Sequence, residues 1–68
     1  MNNVANFIEV VALSDKISVG DFIYVDKNGA RKATYSSGNY YALTTAQKGE
    51  TLKCSVIPGN EDKRWEEE

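Results

Sequence analysis

The chain has 68 residues, enough for one small domain. Its single cysteine, Cys54, excludes an intrachain disulfide, and the absence of histidine removes the usual general base and every Ser–His–Asp or Cys–His arrangement within the chain. With 8 basic and 10 acidic residues the net charge is −2, and residues 61–68 hold the acid excess, which leaves a nearly neutral body without the basic face of a nucleic-acid module.

The N-terminus has no basic stretch leading into a long apolar one, so no signal peptide is expected. No run reaches the roughly 18 apolar residues that cross a bilayer, so no membrane is expected as a partner. Val4, Phe7, Ile8, Val11 and Ala12 fall at helical spacing, and Asn3 could cap such a helix. The β-branched Ile8, Val10 and Val11, with every neighbouring segment reading as strand, favour a strand over Ile8 to Leu13 instead.

Gly20-Asp21 opens the strongest signal in the chain. Phe22-Ile23-Tyr24-Val25 has high strand propensity, and Asn28-Gly29 suits a tight hairpin turn whose two central residues take positive φ. Residues 30–35 can then run back antiparallel. Ser36-Ser37-Gly38-Asn39 reads as loop, residues 40–45 as strand and residues 46–50 as turn. From Thr51 to Ile57, Leu52, Cys54 and Val56 alternate with polar residues, the period of a half-buried strand, and Pro58-Gly59 stops it. Residues 61–68 carry no apolar period beyond Trp65 and read as a tail that only a partner would order. No internal repeat stands out.

The sum is an all-β fold, a small barrel or sandwich of four to five short antiparallel strands. It forms one β domain over residues 1–60, with an N-terminal arm at residues 1–13 and an acidic tail at residues 61–68.

Among candidate binding residues, the tyrosines come first, because aromatic rings give large contact area at low entropic cost. Tyr24 and one of Tyr40 and Tyr41 are expected in the core. The other of that pair must face outward, since neighbours on a strand point opposite ways. Tyr35 and Trp65 are further anchors, although Trp65 could fold back and cap the barrel. Lys27, Arg31 and Lys32 around the hairpin form either a contact patch or the charged guard of an exposed strand. Asp15, Asp21 and Asp26 fit turn chemistry and lack the spacing of a calcium loop. Cys54 is expected to be buried and inert. No metal, cofactor or catalytic residue is expected.

The string Ile17-Ser18-Val19-Gly20-Asp21-Phe22-Ile23-Tyr24-Val25, followed by Tyr41-Ala42-Leu43 and by Gly49-Glu50-Thr51-Leu52 with Gly59, resembles the small capsid decoration, or cement, proteins of tailed bacteriophages. The resemblance covers about two-thirds of the chain. It implies a non-catalytic structural protein, made in the host cytoplasm and carried on the virion. Its partners would be the major capsid protein lattice and further copies of itself. The segment from Val4 to Val11, with Phe7 and Ile8, would be the arm that adds to a neighbour's sheet. Two other readings stay open. One is an SH3-like or OB-like module stacking bases on Tyr35, Tyr40 or Tyr41 beside Arg31 and Lys32. The other is an inhibitor of a host protein whose acidic tail occupies a basic cleft.

Overall fold

The computed structural model of the chain describes residues 7–65. Its strands are β1 (Ile8–Val11), β2 (Lys16–Ile17), β3 (Phe22–Asp26), β4 (Gly29–Lys32), β5 (Tyr40–Ala42), β6 (Ala46–Gln47) and β7 (Thr51–Val56). Five of them form one curled antiparallel half-barrel sheet in the order β1-β7-β5-β3-β4, and β2 pairs with β6 across its end. The all-β reading is therefore correct, and the N-terminal ambiguity resolves as strand rather than helix. That strand stops at Val11, because Ala12 and Leu13 turn away to run beside β4.

This detour nearly closes the barrel. Ala12 forms a parallel bridge with Ala30, the Leu13 N–H donates to the Ala30 carbonyl at 2.8 Å, and the Lys32 N–H donates to Ser14 Oγ at 3.0 Å. The approach needs a residue without a side chain at Gly29, where a Cβ would lie 2.5 Å from the Val11 carbonyl oxygen. Asn28-Gly29 is thus not the centre of the hairpin. Asp26 pairs with Gly29, Lys27 and Asn28 form the tip at negative φ, and the Asp26 carboxylate accepts the Asn28 N–H at 2.9 Å.

A repeat that the sequence hides becomes plain in the backbone. Ala12-Leu13-Ser14, Gly20-Asp21, Ile23 and Val25 correspond to Ala42-Leu43-Thr44, Gly49-Glu50, Leu52 and Cys54. Each copy makes the same tight turn before its long strand. The Asp21 N–H donates to the Ser18 carbonyl at 3.0 Å, while Asp21 Oδ2 accepts the Ser18 N–H at 2.8 Å. The Glu50 N–H donates to the Gln47 carbonyl at 2.9 Å, and Glu50 Oε1 accepts the Gln47 N–H at 2.7 Å. The third turn residue in both is glycine, Gly20 at φ 91° and Gly49 at φ 93°, as a type II turn requires.

The two copies hold each other reciprocally. The Gly20 N–H donates to the Ala42 carbonyl at 2.8 Å and the Gly49 N–H to the Ala12 carbonyl at 2.8 Å. The Ala12 N–H donates to the Glu50 carbonyl at 2.8 Å and the Ala42 N–H to the Asp21 carbonyl at 2.9 Å. β1 of the first copy pairs with β7 of the second, and β5 of the second with β3 of the first. The equivalent residues Ile17 and Ala46 pair with each other, which puts a pseudo-two-fold axis between β2 and β6. A one-residue difference in loop length between the copies conceals this from the linear string. Both short strands were unforeseen, and Ala46-Gln47 is strand rather than turn.

The core joins Ile17, Ile23, Val25, Leu52 and Ile57 to the small side chains of Ala12, Ala30, Ala42, Ala46 and Cys54. Each buried branched side chain contributes about 1.5–3 kcal/mol relative to exposure. Burial pushes the Cys54 thiol up to about 12, so it stays protonated and inert as expected.

The expected loose tail is a strap as far as Trp65. Pro58-Gly59 turns the chain, and a single 3₁₀ turn spans Glu61–Lys63. Asn60 Nδ2 donates to the Tyr35 and Gly38 carbonyls at 3.0 and 3.3 Å, Asn39 Nδ2 to the Lys63 carbonyl at 3.2 Å, and Lys63 Nζ to the Ser36 carbonyl at 2.8 Å. Trp65 is half-buried against the core, and the Tyr40 hydroxyl donates to its carbonyl at 3.3 Å. Trp65 thus folds back on the barrel and leaves part of its surface exposed.

Candidate functional site

Alternation along β3 sends Ile23 and Val25 into the core and Phe22 and Tyr24 outward. β5 alternates likewise, with Tyr40 3% exposed and Tyr41 half-buried on the outer surface beside Phe22. Phe22 is 37% exposed, Tyr24 45% and Tyr35 50%. The Phe22 and Tyr35 rings meet edge to face, with centroids 5.5 Å apart and planes at 74°. The Tyr35 hydroxyl donates to the Pro58 carbonyl at 3.3 Å, which ties the loop aromatic to the strap. Phe22, Tyr24, Tyr35 and Tyr41 thus form an aromatic surface on the outside of β3 and β5.

This placement revises two expectations. Tyr24 is exposed rather than core, because its register partner is Arg31 on the outer side of β4. Tyr40 is buried, so it cannot stack a base or meet a partner. Tyr35 and Tyr41 remain available at the surface, and Phe22 was missed. Its signal was present, since period two on β3 with Ile23 and Val25 inward requires Phe22 and Tyr24 outward.

Charge around the surface is balanced. Arg31 Nη1 lies 3.5 Å from Asp26 Oδ2, the one ion pair among the described residues. Across the sheet, Glu9 and Lys53 are register partners, and Lys53 Nζ lies 5.2 Å from the Phe7 ring centroid. Lys32 is exposed on the closing edge of β4 and lines a shallow surface pocket together with Phe22. Among the described residues, no group of three or more His, Cys, Asp and Glu side chains could hold a metal ion. No helix of the described residues is long and apolar enough to cross a membrane.

The proposed N-terminal arm divides in two. Val4 lies outside the described residues. Ile8 to Val11 form β1 and pair with β7 of the same chain, so one side of that strand is already occupied. Its other side faces a groove lined by Asp26, Lys27, Asn28 and Gly29, with Trp65 also lining it.

Comparison with protein-family models, with curated proteins and with solved structures returned no match for this chain.

Proposed function

We propose that the chain is a non-catalytic docking module, a decoration protein that binds the outer surface of an assembled bacteriophage capsid and reinforces it. The carrying observation is the exposed aromatic surface of Phe22, Tyr24, Tyr35 and Tyr41. The repeat supplies an internal control for it. Phe22 and Tyr24 correspond to Thr51 and Lys53, and Tyr41 to Val11, so the backbone plan does not itself demand rings there. Aromatic side chains at such positions are the anchors that dominate protein interfaces.

The resemblance to decoration proteins supplies the identity of the larger body. Its glycine–carboxylate motifs, Gly20-Asp21 and Gly49-Glu50, are turn latches here and speak for the fold rather than for the contact. A small domain whose folded form alone binds gains stability by mass action, and a lattice multiplies modest contacts. Two features favour a protein surface over a nucleic acid. The outer charges lie in opposite-sign neighbours, and the edge-to-face Phe22–Tyr35 pair does not offer parallel stacking platforms.

Cosedimentation of the purified chain with assembled shells and with unassembled capsid subunits tests this reading. Saturable binding to shells is expected. Tyr24→Lys should weaken it by about 30-fold or more, the equivalent of ~2 kcal/mol at an aromatic anchor. Binding that ignores shells but falls steeply with salt on single-stranded nucleic acid would replace it with the base-stacking alternative.

A further inference from the structure

The repeat carries a consequence for association with a second copy. Neither half completes its own sheet: β1 lies on β7 of the other half, and β5 on β3 of the other half. The four reciprocal main-chain bonds at Ala12, Gly20, Ala42 and Gly49 also run between halves, as does the whole of the β2–β6 pair. The contacts between halves are thus arranged as in a two-fold dimer, although β5 also pairs with β7 inside the second half and β4 has no counterpart there. Its connection from β4 to β5 crosses residues 33–39, and Thr34, Tyr35, Ser36 and Ser37 within it are exposed.

We propose that this chain pairs with a second copy by exchanging halves. β1 to β4 of one copy close on β5 to β7 of the other with Asn39 kept on Val25, and residues 33–38 span the two barrels. Every bond between halves is then remade with the same residues, so the exchanged dimer and the closed monomer differ only at the connecting segment and in the entropy of association. The closed form is held at that segment. The Gly38 N–H donates to the Thr34 carbonyl at 2.7 Å, Thr34 and Ser37 bond through their hydroxyls at 2.8 Å, and Asn60 and Lys63 grip the carbonyls of Tyr35, Ser36 and Gly38. These contacts set the concentration at which exchange takes over, because they are lost when the segment extends. Exchange leaves Phe22, Tyr24 and Tyr41 on the outside of β3 and β5, while Tyr35 moves with the connecting segment.

Two measurements on the full chain test it. Deleting residues 34–37 removes the turn that carries the chain back over β3. The deletion chain is expected to be folded and to run at twice the monomer mass by light scattering; a folded monomer overturns the proposal. Should that chain fail to fold, a second pair decides. Ile23→Asp and Leu52→Asp each place a carboxylate in the core of one half, and each chain alone is expected to be unfolded. Exchange allows the intact second half of the former to close on the intact first half of the latter. Mixing the two should restore β-sheet circular dichroism and a cooperative unfolding transition, with amplitude up to half that of the parent protein. A mixture that stays unfolded overturns the proposal whatever the deletion chain does.

Discussion

The halves of this barrel answer the same structural demands with different surfaces. Inside, Ile23 and Val25 of the first half are matched by Leu52 and Cys54 of the second, and both turns are closed by a glycine and a carboxylate. Outside, Phe22 and Tyr24 of the first half correspond to Thr51 and Lys53 of the second. Burial and turn geometry constrain the shared positions, while nothing in the backbone constrains the outer ones. Divergence between equivalent outer positions is therefore where function is most readily read.

Core truncation gives the largest expected effect and the sharpest check of equivalence. Ile23 and Leu52 are both fully buried, so Ile23→Ala and Leu52→Ala should each cost about 2–5 kcal/mol in urea unfolding. A difference between them well beyond 1 kcal/mol would break the equivalence of the two cores.

Turn strain comes next. No atom stands within 4 Å of a Cβ placed on Gly20 or Gly49, so alanine there adds only the left-handed backbone cost of about 1–2 kcal/mol. The two substitutions should match in thermal unfolding. Gly29→Ala should exceed both, because its Cβ also collides with the Val11 carbonyl.

A smaller, pH-dependent difference separates Cys54 from Val25, its counterpart. The thiol titrates near the ordinary value of about 8.5 when unfolded and near 12 when folded. Between these values the unfolded chain loses a proton that the folded chain keeps, so stability falls as pH rises through that window. Cys54→Val should remove this contribution, making the fall in stability above the ordinary thiol value shallower than in the parent.

Least disturbing to the fold is the exchange of outer residues. Tyr24→Lys imitates Lys53 and should change stability by less than about 0.5 kcal/mol, even as it weakens shell binding. Loss of folding instead would mean that the rings support the barrel.

The legible parts of the sequence were those governed by local rules. Alternation placed β7 and Cys54, propensity placed β3, and Pro58 marked the end of the last long strand. The failures have a common cause in long-range geometry. Asn28-Gly29 has the local signature of a turn centre, whereas Gly29 is needed for the approach of Val11, a residue far away in sequence. The exposure of Tyr24 depends on where β4 lies, which no local pattern states. The strap was invisible because side-chain amides at Asn39 and Asn60 hold it, rather than any apolar period. The repeat was hidden because Ile17 corresponds to Ala46, and Phe22 to Thr51, across a loop that differs in length.

Asn39 has one more consequence. Its side chain accepts the Val25 N–H at 2.8 Å and donates to the Val25 carbonyl at 3.1 Å, occupying both main-chain groups just before β5 begins. A single buried amide thereby takes the place of a further β5 residue in the ladder of β3 and, through its bond to the Lys63 carbonyl, fixes the strap above it. Asn39→Ala would leave the buried Val25 donor and acceptor without a partner, at a cost of about 1–3 kcal/mol each.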